Sequence, residues 1–197
     1  MEVIVWVSLA YLLGSLTPGL WLARAYGVDI RKVGSGNIGS TNVYRVLGFW
    51  AGVLVQVVDI GKAVVPVWLA KLRAVPEAGL YAVATAAVLG HIYPIWAGFR
   101  GGKGINTLLG GMLIIEPLSA LAATGTFLLT LSLSWIVSLS SLSGVASFLL
   151  WHGVVGEGSA IGYLAGVLWL GLVLYTHRQN LARLLAGKEP RVGQKSP

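Results

Sequence analysis

Long apolar runs alternate along this chain with short polar segments. A helix that crosses the ~30 Å hydrocarbon core of a bilayer needs roughly 20 mostly apolar residues. Runs at about 3–23, 49–70, 78–93, 105–116, 117–137, 142–156 and 159–176 read as candidate spans. Several are short and rich in glycine, so tilted or half-buried helices with loose boundaries are expected. Between the runs lie the polar stretches 33–48 and 98–104, a Ser-rich turn at 138–143, and the tail from His177. The pattern predicts an all-α integral membrane protein of about seven transmembrane helices, some short or tilted.

Composition narrows this further. Only 11% of the residues are charged and 56% are hydrophobic, with a mean hydropathy of +0.79. Soluble domains carry about 25% charged residues. No linker or charge block divides the 197 residues, which are read as one domain, 1–197. Cysteine is absent, which excludes disulfides, thiolate metal sites and a thioester intermediate. Met1 and Glu2 lead directly into an apolar run with no basic segment before it, so this run is read as the first span.

Seven spans sort the charges. Arg24, Arg31, Lys32, Arg45, Arg100, Lys103, Arg178, Arg183, Lys188, Arg191 and Lys195 fall on one side, eleven of the 14 Lys+Arg. Lys71 and Arg73 fall on the other, together with Glu2, Glu77, Glu116 and Glu157; Lys62 lies within a span. Basic residues stay cytoplasmic on insertion. The N-terminus is therefore expected outside and the C-terminus in the cytoplasm, with all four polar segments at the cytoplasmic face.

The first polar stretch, "VGSGNIGSTNVYRVLG", contains G-x-G-x-x-G at Gly34, Gly36 and Gly39, and Asp59 follows at the spacing of a ribose-binding acid. A dinucleotide fold needs a strand before that motif and a soluble βαβ unit around it. Here a membrane span precedes it and Asp59 lies in an apolar run, so that reading fails. Two remain open from this segment alone. Glycine backbone and a helix N-terminus can hold an anion, aided by Ser35, Asn37, Ser40, Thr41, Asn42 and the guanidinium fork of Arg45. Otherwise it is a flexible loop capped by Ser/Thr/Asn at the next helix.

"GHIYPIWAGFRGGKGINT" (90–107) favours the anion. Its "GGKG" is no Walker loop, because Gly98 to Gly102 is one residue short and Gly104 stands where Ser/Thr would hold magnesium. Positive-inside anchoring explains Arg100 and Lys103 but needs no glycines around them. His91 lies beside this segment. In the tail, "HRQNLARLLAGKEPRVG", His177, Asn180 and Arg183 share a helix face with the leucines largely on another. An interfacial amphipathic helix accounts for Arg183 and Lys188, but not for His177 or Asn180. Asp59 and Lys62, spaced i, i+3 inside a span, read as a structural ion pair. His152 reads as an ordinary residue of the outer interface.

Together these residues resemble a known family. "GSGNIGSTNVYRVLG", "GHIYPIWAGFRGGKGINT" and "HRQNLARLL-GKEPRVG", with Ala186 as a gap, are similar in content and order to the three motif blocks of the bacterial membrane glycerol-3-phosphate acyltransferases that use acyl phosphate. "DIGKAVVP" (59–66) and "VSLSS" (137–141) resemble the segments between them. Ile38, Ser40 and Arg100 stand where the family usually has Pro, Ala and Lys. The resemblance implies a seven-span enzyme of the bacterial inner membrane that makes lysophosphatidic acid from acyl phosphate and glycerol 3-phosphate. It implies that Ser35, Arg45, Lys103, His177 and Asn180 bind phosphate or act in catalysis. Gly36, Asn37, Thr41, Asn42, His91, Gly101, Gly102, Gly104, Ser141 and Arg178 are expected to bind substrate.

The chemistry this implies is positioning and charge stabilisation, since an acyl phosphate already carries a good leaving group. The His-x4-Asp pair of common acyltransferases is missing: only His152 has an acid five positions on, Glu157, and on the outer side. Lys103 and the glycine backbone are expected to hold the donor phosphate, and Arg45 and His177 the acceptor phosphate. No cofactor and no metal are expected, as hard cations need carboxylates and the cytoplasmic face offers only Asp29 and Glu189. The expected partners are the two substrates and membrane lipids, with no nucleic acid; oligomeric state is open. The alternatives are an organic-phosphate transporter, disfavoured by the one-sided cations, and a transferase using acyl-CoA or acyl-carrier protein, disfavoured by short cytoplasmic loops.

Overall fold

The structure, a computed structural model, describes residues 2–194; Lys195, counted above among the cytoplasmic charges, lies outside them. Among the described residues all regular structure is helical. The helices are α1 (Glu2–Gly14), α2 (Pro18–Ala25), α3 (Ser40–Leu47), α4 (Phe49–Leu72), α5 (Glu77–Ile92), α6 (Ile105–Ile115), α7 (Pro117–Ser134), α8 (Val137–Val154), α9 (Ala160–Thr176) and α10 (Arg178–Leu185), with one 3₁₀ turn at Ile95–Ala97. Two compact units divide at Gly111/Met112, the first carrying α1 to α5 and most of α6, the second α7 to α10.

The apolar runs become helices that are hydrophobic on every face, as lipid-exposed helices are. Leu54, Val57 and Trp68 on α4 and Leu128, Leu129 and Leu133 on α7 point outward and are exposed. Five spans are long and apolar enough to cross a bilayer: α1 with α2, α4, α5 with its 3₁₀ turn, α7 and α8. The pair α9 and α10 qualifies jointly, bent by 68° at His177. Helix α6, with 11 residues, reaches only about 16 Å at 1.5 Å per residue.

The first run is one span, Glu2–Ala25, interrupted within its length: Pro18 has no N–H and disfavours helical geometry in the residue before it, so α1 stops at Gly14 and α2 restarts at Pro18. The Ser-rich stretch 138–143 is no turn but the first turns of α8. Its hydroxyls donate back along the helix, Ser140 to the Ile136 carbonyl (2.8 Å) and Ser141 to that of Val137 (2.9 Å).

In the first unit α1 packs on α5 and α4, and α3 packs on α4. The α1–α5 seam is built from small residues. A Cβ on Gly14 would strike the Ala87 carbonyl, and one on Gly90 the Tyr11 carbonyl. Apolar lipid gives helices no hydrophobic reason to associate, so close backbone approach supplies the contact. Gly90→Ala is expected to lower stability by about 1–3 kcal/mol, the usual cost of overpacking, seen as an earlier thermal unfolding transition in detergent. In the second unit α7 packs on α8 and α8 on α9.

Candidate functional site

The first motif block is a loop wound around one side chain. Asn42, in the first turn of α3, is 1% exposed. Its Oδ1 accepts the backbone N–H of Ser35 (2.8 Å), and its Nδ2 lies against the carbonyls of Ile30, Val33 and Asn37 at 2.9–3.3 Å. Asn37 Oδ1 accepts from Gly39 N–H (2.8 Å). Gly34 and Gly36 take φ of 59° and 68°, the left-handed region that only glycine enters without cost, and a Cβ on Gly34 would strike the Asn42 amide. Beneath, Leu20, Ala23, Ile30, Ile38, Val43 and Val55 form an apolar cluster that seats the loop. The loop is thus ordered, not flexible. Asn42 and Asn37 shape it from within, while Ser35 and Thr41 are exposed at its surface and Arg45, half-buried, follows one turn into α3.

The second block closes over the end of α5. Gly101 N–H donates to the Ile92 carbonyl (3.0 Å) and Gly102 N–H to that of His91 (3.1 Å). Those two N–H groups therefore hold the loop down rather than face an anion, which corrects the expectation that the glycine backbone at large receives phosphate. The glycines are needed for closeness: a Cβ on Gly101 would strike the carbonyls of His91 and Ile92, and one on Gly102 the Nε2 of His91. Lys103 follows, half-buried. Gly104, at φ 84°, turns the chain so that its carbonyl accepts the first helical bond of α6, from Leu108 (2.8 Å). The positive end of α6 thus lies next to Lys103.

The two blocks are joined by Arg31, which charge counting took for topology alone, and by Asn106. Arg31 Nη2 donates to the carbonyls of Ala97 (3.0 Å) and Arg100 (2.6 Å), and Asn106 Nδ2 to Ser40 Oγ (2.9 Å). Below them the i, i+3 pair is present, with Lys62 Nζ 2.9 Å from Asp59 Oδ1 and both side chains 2% exposed. His91 joins it, its Nδ1 2.7 Å from Lys62 Nζ.

The third block lies in the second unit and is organised by a residue that no spacing pointed to. Asn180 Nδ2 (2.5 Å) and Ser138 Oγ (2.7 Å) both donate to Glu189 Oε1, and Arg183 Nε donates to Oε2 (2.7 Å). Burial raises the Glu189 pKa, but the hydrogen bonds from Asn180, Ser138 and Arg183 and the arginine charge outweigh it, leaving the carboxyl below its ordinary value. The expected shared face of Asn180 and Arg183 is real, and Glu189 reads it. His177, 2% exposed, sits at the bend between α9 and α10 and donates from Nδ1 to the Val173 carbonyl (2.9 Å). In the neutral ring this leaves Nε2 as the basic nitrogen. Ser141 is buried one turn beyond Ser138, and Arg178 is exposed, stacked 4.6 Å over the Tyr175 ring.

His152 departs from expectation. It is fully buried, its Nδ1 2.7 Å from Glu116 Oε1 and its Nε2 2.9 Å from the Ser159 carbonyl, while Ser119 Oγ donates to the other Glu116 oxygen (2.8 Å). The partner is Glu116, not Glu157 five positions on, and the cluster joins α7, α8 and the start of α9. It is an internal tie, not an interface residue.

The sequence profile of the family described as Glycerol-3-phosphate acyltransferase matches residues 4–187. The chain belongs to that family. A glycerol-3-phosphate acyltransferase of Geotalea daltonii is 43% identical over 180 residues, 91% of this chain and 92% of that protein. One of Thermus thermophilus is 42% identical over 199 residues, covering 100% and 98%. Two crystal structures of PlsY (YgiH), an integral membrane glycerol 3-phosphate acyltransferase, share the fold. The glycerol 3-phosphate form has a TM-score of 0.93 at 38% identity, covering 98% of this chain and 96% of that one. The lysophosphatidic acid form has a TM-score of 0.90 at 36% identity, with the same coverage. Like those structures, this member of the family is an all-α integral membrane protein, and all three motif blocks fall within or beside the matched span.

Proposed function

We propose that the chain transfers a fatty acyl group from acyl phosphate to the 1-hydroxyl of sn-glycerol 3-phosphate. The products are lysophosphatidic acid and phosphate, the first acylation step of phospholipid synthesis. The observation that carries the reading is likeness over nearly the whole chain to a protein solved in forms named for that acceptor and that product. The acyl phosphate donor rests on the motif resemblance and on the basic character of the segment around Lys103.

In this reading the hydroxyl oxygen attacks the acyl carbonyl, the bond from that carbon to the phosphate oxygen breaks, and phosphate leaves with the electron pair. Lys103 and the positive end of α6 stabilise the charge on the leaving phosphate. Ser35, on the first loop, and Arg45, on the helix α3 that follows it, orient the phosphate of the acceptor. The proton passes to the substrate's own phosphate or to His177 Nε2. Holding the reactants in near-attack geometry supplies about 7–11 kcal/mol. The chain is read as one acyltransferase domain, with the N-terminus outside and chemistry at the cytoplasmic face of the bacterial inner membrane. Helix α6 then provides the short seventh crossing, and the acyl chain stays in the bilayer while the soluble acceptor enters from the cytoplasm.

The test supplies purified protein with glycerol 3-phosphate and palmitoyl phosphate, palmitoyl-CoA or palmitoyl-carrier protein in parallel. Lysophosphatidic acid from acyl phosphate alone is the expected result. Product from a thioester alone discards the donor, and no product from any donor discards the activity.

A further inference from the structure

Among the described residues Lys62 is the one lysine buried inside a span, and the chemistry above makes no use of it. An ammonium has three protons and no lone pair. Within 2.9 Å of Nζ lie three acceptors on three elements: Asp59 Oδ1 on α4, the Leu16 carbonyl in the break between α1 and α2, and His91 Nδ1 at the end of α5. The Leu16 carbonyl is available because Pro18 interrupts the helix there.

The third contact has a chemical consequence. A charged lysine can only donate, so at 2.7 Å His91 Nδ1 must present its lone pair. The ring proton then sits on Nε2, the atom a Cβ on Gly102 would strike. Without Lys62 the Asp59 carboxylate, 3.5 Å from Nδ1, draws a proton to that nitrogen instead.

We propose that Lys62, neutralised by Asp59, is a positioning residue that fixes His91 as the Nε2–H tautomer and so turns an N–H, not a lone pair, toward the glycine segment 101–104. A lone pair there repels an anion held by that loop, whereas an N–H attracts it. The loop is also bound to the His91 carbonyl, so one residue sets both its height and its local field. The inference rests on the reading of this loop as part of the acyltransferase site.

The test begins with ring-¹⁵N spectra of the wild-type protein. The chain has three histidines, and His91 is assigned by its loss in His91→Gln. A neutral Nε2–H ring at pH 7 is expected; an Nδ1–H or doubly protonated ring overturns the proposal. In Lys62→Met, which leaves the Asp59 carboxylate beside Nδ1, the ring is expected to move to the Nδ1–H tautomer and kcat/KM to fall about 10–100-fold, the scale of losing a group that orients a histidine. The KM that rises should be that of the same substrate whose KM rises in Lys103→Arg. Side-chain mimicry gives a second readout, since Gln places an amide N–H near the Nε2 position and Asn near Nδ1. His91→Gln, which keeps an N–H near the Nε2 position, should lose less activity than His91→Asn, which should fall as far as Lys62→Met; equal loss in both overturns the proposal. Wild-type protein without turnover would sink the acyltransferase reading while leaving the tautomer signal intact, so the two failures are distinguishable.

Discussion

Lys103→Ala is expected to leave a folded, membrane-inserted protein whose turnover falls by about 10²–10³-fold, the usual effect of deleting one preorganised charge-stabilising group. The reason is local. Gly101 and Gly102 have committed their N–H groups to the carbonyls of Ile92 and His91, so the loop's positive character resides in Arg100, Lys103 and the start of α6, with Lys103 next to that helix end. Gly101, Gly102 and Gly104 fix the path of the chain on either side of the lysine. The measurement is initial rate against acyl phosphate and glycerol 3-phosphate separately, with thermal unfolding as the control. A variant that keeps its unfolding temperature and loses kcat meets the expectation; one within threefold of wild type removes Lys103 from the chemistry.

The second large effect concerns Glu189. Glu189→Gln removes the charge that three donors share, and hydrogen bonds to a charged group contribute about 1.5–3 kcal/mol each, not additively. The variant should unfold at markedly lower temperature and lose activity through a displaced Asn180. The pH dependence has a definite sign. The Glu189 carboxyl titrates below its ordinary value of 4.5 in the folded protein, so its contribution is complete at neutral pH and is lost as pH falls through the folded value. The gap in unfolding temperature between wild type and Glu189→Gln is therefore wide at pH 7 and should close on strong acidification. A gap that does not change with pH would show that the charge is not what the tail uses.

What was legible in the sequence was what depends on neighbours in the chain. Apolar runs marked the long helices because most residues on a lipid-facing helix are apolar, and Asp59 with Lys62 was readable because i, i+3 lies within one turn. His91 was placed beside the glycine segment but not on Lys62, since 29 residues separate the two. Ser138 and Glu189 are 51 apart, and the acid was noticed only as a poor metal ligand. The serines at 138–143 read as a turn because serine favours turns in water. In apolar surroundings the same hydroxyl bonds a carbonyl one turn back and the helix continues. Pro18 stood in plain sight within the first run, but average hydropathy does not register a missing N–H. Arg31 and Asn106 were illegible for another reason: they act on backbone carbonyls and on Ser40 from a distance, and carbonyls leave no mark in a sequence.

The composition of the Lys62 cluster also bears on how the protein is made. A chain enters the bilayer in the order of its synthesis, and a lone Lys or Asp at a helix centre costs about 2.5–3.5 kcal/mol on insertion. When α4 emerges, α5 and therefore His91 do not yet exist. The Leu16 carbonyl is already in place, and Asp59 travels on the same helical turn as the lysine it neutralises. Lys62 thus has a partner at each stage of assembly, and the histidine that connects it to the loop is the last to arrive.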